Sequence, residues 1–240
     1  MAINKNYLQL EFGSGKFFDY SKEKKEDYVE HTSSKGNTSY RKYYEEVEGI
    51  LESVSVYDGS FGQQISMNIK NGEEVYYVPV DLYDQRGNVA TYAESLIKIL
   101  PHLEKGKLTT VRGYNFTPDG EKYAKIGISI KVDGVKIKPE MTNAYYKNGK
   151  LVEGDIPAIE WVKKLSKNKP SASSLEKKDD YLLGVLEQQT ERLKWEGSQE
   201  QSQTNTTSKP STSVPKASPK EAFEPAGNYD DDDMSDLPFG

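Results

Sequence analysis

Apolar and polar positions alternate with period two over much of residues 40–132, and the period changes once to that of a helix. Residues 40–57 (YRKYYEEVEGILESVSVY) are rich in aromatic and β-branched types, with Gly49 interrupting the alternation. This predicts one long strand that bulges or coils at the glycine. After a DGSFG turn, Phe61, Ile65, Met67 and Ile69 alternate with polar residues along a second strand. Asn71-Gly72 predicts a hairpin into a third, EVYYVPVDL. In residues 89–103, Ala93, Leu96, Ile97 and Leu100 fall at helical spacing and Pro101 ends the run. Strand character returns in KLTTVRGYNF (107–116), and after a TPDG turn EKYAKIGISIKV (121–132) alternates again.

Three strands, a helix and two strands is the element order of an OB-fold, a five-stranded Greek-key barrel with one helix between its third and fourth strands. The predicted chain is mostly β. It has an N-terminal extension over 1–37, the barrel domain over 38–150 and a helical extension over 151–196. A disordered linker over 197–228 and an acidic tip over 229–240 complete it. Residues 135–154 extend the sheet or form a ribbon around Asn148-Gly149. The run IPAIEWVKKLSK predicts a short helix, and residues 174–195 a longer one. The second opens on a Ser173-x-x-Glu176 capping box and carries Leu175, Leu182, Leu186 and Leu193 on one stripe. That stripe packs on the barrel or on another copy of the chain, so a homo-oligomer is one possible outcome.

Charge is distributed unevenly. The net charge is −6, but residues 196–240 hold nine acids and three lysines, so residues 1–195 are balanced. The acidic character belongs to the tail and does not argue against a nucleic-acid partner. From Gly197 the Ser, Thr, Gln, Pro, Lys and Glu composition cannot bury enough apolar surface to offset ordering. The chain contains no cysteine, and its only histidines, His31 and His102, lie far apart. Neither a thiolate site nor a structural zinc is expected. Gly13-Ser14-Gly15-Lys16 lacks the spacing of a phosphate-cradling loop, and the one dense acidic cluster sits in the tail. No catalytic residue, metal ligand or cofactor is expected. The N-terminus MAINKNYLQLEF lacks a signal-peptide core, and no run approaches the ~20 apolar residues of a membrane span. The expectation is a cytoplasmic protein with no membrane partner.

Sequence-tolerant binding of single strands needs aromatic faces for stacking and cations along the backbone path. Strand alternation sorts the candidates. In 121–132, Ala124, Ile126, Ile128 and Ile130 form the inward set, leaving Tyr123, Lys125 and Lys131 outside. Val111 pointing inward puts Arg112, Tyr114 and Phe116 on the opposite face, and Tyr76, Val78 and Val80 as core leave Tyr77 outward. Arg41, Tyr43 and Tyr44 open the first strand, Tyr57 and Phe61 flank the first hairpin loop, and Lys122 adds a further cation. Residues 101–150 hold ten Lys or Arg against five acids. Tyrosine also favours strands for reasons unrelated to ligands, so the set points to binding more firmly than any single member.

The chain ends in Asp230, Asp231, Asp232, Asp233, Met234, Ser235, Asp236, Leu237, Pro238, Phe239 and Gly240. An aspartate run followed by Leu-Pro-Phe resembles the C-terminal tip of bacterial and phage single-stranded DNA-binding proteins. It covers about a dozen residues. The resemblance implies a tip that recruits replication or repair proteins and competes with DNA phosphates for a basic groove. Physically, the aspartates attract a basic partner while Leu237 and Phe239 supply an apolar anchor. In the family's bacterial form Phe is the last residue, whereas here Gly240 follows. The expected function is binding and protection of single-stranded DNA during replication, recombination or repair. The alternatives are an OB-fold protein adaptor and a single-stranded RNA-binding protein.

Overall fold

Strands begin at the fourth residue, so the N-terminal stretch belongs to the sheets rather than leading into them. The computed structural model describes residues 4–33, 36–59, 62–139, 141–164 and 167–194. The chain forms β1 (Asn4–Tyr7), β2 (Gln9–Leu10), β3 (Phe17–Ser21), β4 (Val29–Thr32) and β5 (Thr38–Tyr44). There follow β6 (Val47–Gly59), β7 (Gly62–Asn71) and β8 (Glu74–Asp81). Helix α1 (Thr91–Ile97) and a 3-10 turn at Leu100–His102 precede β9 (Leu108–Phe116), β10 (Lys125–Val132) and β11 (Val135–Lys136). Two hairpins, β12 (Tyr145–Lys147) with β13 (Lys150–Val152) and β14 (Trp161–Lys164) with β15 (Lys167–Pro170), lead into α2 (Ala172–Leu193). The protein is mostly β, with two α-helices among the described residues.

One sheet runs β1-β8-β7-β6-β9-β10-β11, with β1 parallel to β8 and the other neighbours antiparallel. A second, antiparallel sheet runs β2-β3-β5-β4. The single long strand expected over 40–57 is therefore two, one in each sheet. Within β6 the register slips between Leu51 and Ser53, beyond the glycine where the bulge was expected. Val47–Ile50 pair with β9, and from Ile50 onward the strand pairs with β7. Gly49 has another role: a Cβ there would lie 2.4 Å from the Lys70 carbonyl oxygen, so a side chain would force β6 and β7 apart.

The core lies on one face of the large sheet. Leu51, Val54, Ile65, Met67, Ile69, Val78, Val80, Val111 and Ile130 are fully buried there. Ala93, Leu96, Ile97 and Leu100 meet them from α1 and its following turn, as the helical spacing predicts, and Leu182, Leu186 and Leu193 from α2. Each such Val, Leu, Ile or Met, fully buried, contributes about 1.5–3 kcal/mol. Three of the four leucines of the α2 stripe thus pack inside their own chain, while Leu175 is half-buried. Polar contacts hold the helices in place. Glu94 of α1 accepts from Lys98 at 2.5 Å and from Lys178 of α2. The Arg192 guanidinium donates to the carbonyls of Leu103 at 2.8 Å and Leu100 at 2.9 Å.

Several expectations need correction. The five strands β6 to β10 do not close into a barrel. Strand β1 occupies the outer edge of β8, and Ser95 of α1 takes the free edge of β10. Its Oγ accepts from the Ile128 N–H at 2.9 Å and donates to the Ile128 carbonyl at 3.2 Å. Strand β11 pairs with the end of β10 at Lys131 and Val132, so the outer edges of β8 and β10 have other partners and do not pair with each other. The short helix expected in IPAIEWVKKLSK is absent among its described residues, where β14 and the first residue of β15 stand instead, with Ile156 fully buried ahead of them. Helix α2 starts earlier than expected, with Ser171 at its N-cap and no side-chain cap bond. The hydroxyl of Ser174 accepts from the Glu160 N–H at 3.0 Å and donates to the Ser171 carbonyl at 2.9 Å. Ala124 is exposed because β10 begins one residue later, and Tyr76 is half-buried, its hydroxyl turned onto Glu74. No described helix is long and apolar enough to cross a membrane.

Candidate nucleic-acid interface

Side chains directly opposite one another in neighbouring strands point to the same side of a sheet. Across β6, β7 and β8, Tyr57 lies opposite Gln64 and Gln64 opposite Asp81, while Ser55, Ser66 and Pro79 form the next row. Ser53, Asn68 and Tyr77 form a third, which Tyr7 of β1 extends. Val54, Met67 and Val78 between these rows are buried, so the rows lie on the face opposite the core. The rings of Tyr7 and Tyr77 stack at 4.6 Å with 10° between planes. Tyr57 is 42% exposed. Its hydroxyl donates to Gln64 Oε1 at 2.5 Å, and Gln64 Nε2 donates to Asp81 Oδ1 at 2.5 Å. Partial burial raises the Tyr57 pKa above the ordinary phenol value, with the Asp81 charge adding to it. The Asn68 amide donates to Ser53 Oγ at 2.8 Å.

The same outward face continues on β9 and β10. Arg112 lies opposite Ser129, Tyr114 opposite Gly127, and Phe116 opposite Lys125. Tyr114 lies over Gly127, where a Cβ would fall 2.7 Å from the phenol oxygen and 2.6 Å from Ser95 Oγ. Phe116 is 54% exposed and tilts toward Tyr114 at 6.0 Å. Lys125 forms an ion pair with Glu121 at 2.8 Å. The Arg112 side chain is exposed and forms no ion pair with a described residue. Nearby, Glu45 is held below the usual carboxylate range, chiefly by its hydrogen bond to Lys16 at 2.5 Å and more weakly by the charge of Arg112.

Strand register therefore brings Tyr57, Tyr77, Arg112, Tyr114, Phe116 and Lys125 onto one face. The other candidates lie elsewhere. Arg41, Tyr43 and Tyr44 stand on β5 in the smaller sheet. Arg41 donates to Glu11 at 2.9 Å and covers the Phe18 ring at 4.3 Å, while Tyr43 donates to the same carboxylate at 3.0 Å. Tyr44 meets Tyr76 edge-on at 5.9 Å. Lys122 and Tyr123 belong to the connection between β9 and β10, with the ammonium 5.5 Å over the ring. Phe61 and the tip residues Asp230, Asp231, Asp232, Asp233, Asp236, Leu237, Pro238 and Phe239 fall outside the described residues.

Sequence reasoning missed Tyr7, because its strand has only four residues and pairs with a partner far along the chain. It also missed Tyr145, Tyr146 and Trp161, all exposed on the C-terminal hairpins. Their signal was present as an aromatic run beside Asn148-Gly149 and lysines. Set against family models, curated proteins and solved structures, the chain matches none of them.

Proposed function

We propose that this protein binds single-stranded DNA on the outward face of its large sheet and recruits replication or repair proteins through its acidic tip. The observation that carries the reading is the register that puts Tyr57, Tyr77, Tyr114 and Phe116 on one face with Arg112 and Lys125. Bases stack on such rings whatever their identity, and the cations neutralise the phosphates between them. The order β8-β7-β6-β9-β10, with α1 between β8 and β9, supports an opened form of the OB-fold, whose ligands bind on the outer sheet face. The tip's likeness to single-stranded DNA-binding proteins supports the recruiting role. The protein acts in the cytoplasm on strands exposed during replication, recombination or repair.

Fluorescence anisotropy with labelled poly-dT, an RNA of equal length and a DNA duplex, across a salt series, tests this. Salt-sensitive preference for the DNA single strand is expected. Equal affinity for RNA would move the substrate to RNA. No binding at low salt, with or without residues 229–240, would leave a protein adaptor as the better account.

A further inference from the structure

The sheet face leaves unused an aromatic cluster on the two C-terminal hairpins. Tyr145 is 52% exposed, Tyr146 45% and Trp161 55%. Together with Pro157 and Ile159 they line a cleft of about 250 Å³. That is below the roughly 300–1,000 Å³ of pockets that enclose drug-sized ligands, and it suits a single flat ring system.

The walls of the cleft are held by the core. Ile156 is fully buried, its N–H donates to the Thr142 carbonyl at 3.0 Å, and its carbonyl accepts from the Ala144 N–H at 2.8 Å. On the other side the Glu160 carbonyl accepts from the Ser171 N–H at 2.7 Å, which fixes the residue before Trp161 to the start of α2. These aromatics are exposed on a clamped frame, so a ligand would meet a site already formed.

The surroundings favour a polyanion. Residues 141–170 contain six lysines and three acids. Two of the acids are engaged locally, Asp155 by the N–H and hydroxyl of Thr142 and Glu160 by the Tyr146 hydroxyl. Lys147, Lys150, Lys163 and Lys169 are exposed, and none forms an ion pair with a described residue.

We infer that this cleft is a second stacking subsite, which takes one base of a single-stranded DNA while Lys147, Lys150 and Lys163 neutralise the flanking phosphates. The inference rests on the single-stranded DNA reading of the sheet face and extends it to the C-terminal hairpins. Aromatic walls accept any base by its π-face, and the lysines of the two hairpins supply the sequence-independent attraction.

The chain has two tryptophans, Trp161 and Trp195, so in full-length Trp195→Phe the emission reports Trp161 alone. Titration with an oligo-dT should quench that emission and saturate together with the anisotropy of the labelled strand. Trp161→Ala should weaken binding about five-fold or more, whereas Trp161→Phe, which keeps a stacking ring, should stay close to wild type. A normal anisotropy curve with unchanged Trp161 emission overturns the subsite and leaves the sheet face standing. Absence of any anisotropy change defeats the sheet-face reading and this one with it. Emission that responds to removal of residues 229–240 but not to DNA would assign the cleft to the chain's own tip, overturning the proposal.

Discussion

The ring of Tyr7 lies flat against that of Tyr77, 4.6 Å away, because the N-terminal strand pairs in parallel with β8 and places the two residues side by side. The pair presents a double ring on the outward face. Stacking on one aromatic contributes about 1–3 kcal/mol to single-strand binding. Tyr77→Ala should therefore weaken poly-dT binding about five-fold or more, measured by anisotropy. A double variant, Tyr77→Ala with Tyr114→Ala, that binds as tightly as wild type would remove this face from the account.

Gly127 should not tolerate even a methyl group without consequence. A Cβ there meets the Tyr114 phenol and Ser95 Oγ, and the latter holds both backbone groups of Ile128. Gly127→Ala should cost about 1–3 kcal/mol in urea denaturation. It should also lower DNA affinity by displacing Tyr114 from the face. Unchanged stability would mean that the edge of β10 yields more easily than its hydrogen bonds imply.

The phosphate term can be read separately from stacking. For single strands the logarithm of affinity falls with the logarithm of salt by about 0.7 per neutralised phosphate. Arg112→Gln should flatten that slope by about this amount. Lys125→Gln should flatten it less, since Lys125 is already paired with Glu121. A salt series on the two variants decides whether these cations lie on the DNA path.

Stability should fall in acid through Glu94. Burial raises its pKa, but the charges of Lys178 and Lys98 outweigh burial and leave it below the ordinary glutamate value. A carboxyl depressed in the folded state contributes stability above its unfolded pKa of about 4.3, and that contribution is lost as pH falls through the folded value. Asp179, raised chiefly by burial, works in the opposite sense. The difference between wild type and Glu94→Gln isolates Glu94. The variant should lose stability near the lower end of roughly 3–5 kcal/mol at neutral pH, because two largely buried ammonium groups lose their partner. Denaturation midpoints from pH 7 downward should converge for the two proteins in acid, and parallel curves would contradict the assignment.

Removal of residues 229–240 should preserve or tighten DNA binding and abolish capture of partner proteins. On the proposed reading, four adjacent aspartates would compete with phosphates for the same cations, and Leu237 and Phe239 would supply the apolar anchor for a partner. Anisotropy with the truncated chain measures the first effect. A loss of DNA affinity would contradict a competing tip.

What the sequence determined by itself was local. The helical spacing of Ala93, Leu96, Ile97 and Leu100, the hairpin at Asn71-Gly72 and the leucine stripe of α2 reappear in the fold, because each is written in the periodicity of neighbouring side chains. The alternation of β9 and β10 likewise placed Tyr114 and Phe116 opposite the core. Tertiary structure decided what depends on partners distant in the chain. It divided residues 38–44 from 47–59 between two sheets, brought Tyr7 onto Tyr77, and satisfied Ile128 on the edge of β10 with Ser95. It also drew Arg41 into a contact with Glu11 and Phe18, away from the large sheet. Strand propensity states that a residue suits a half-buried pleated surface, but not which strand will lie beside it, so pairing and exposure are set only when the sheets assemble.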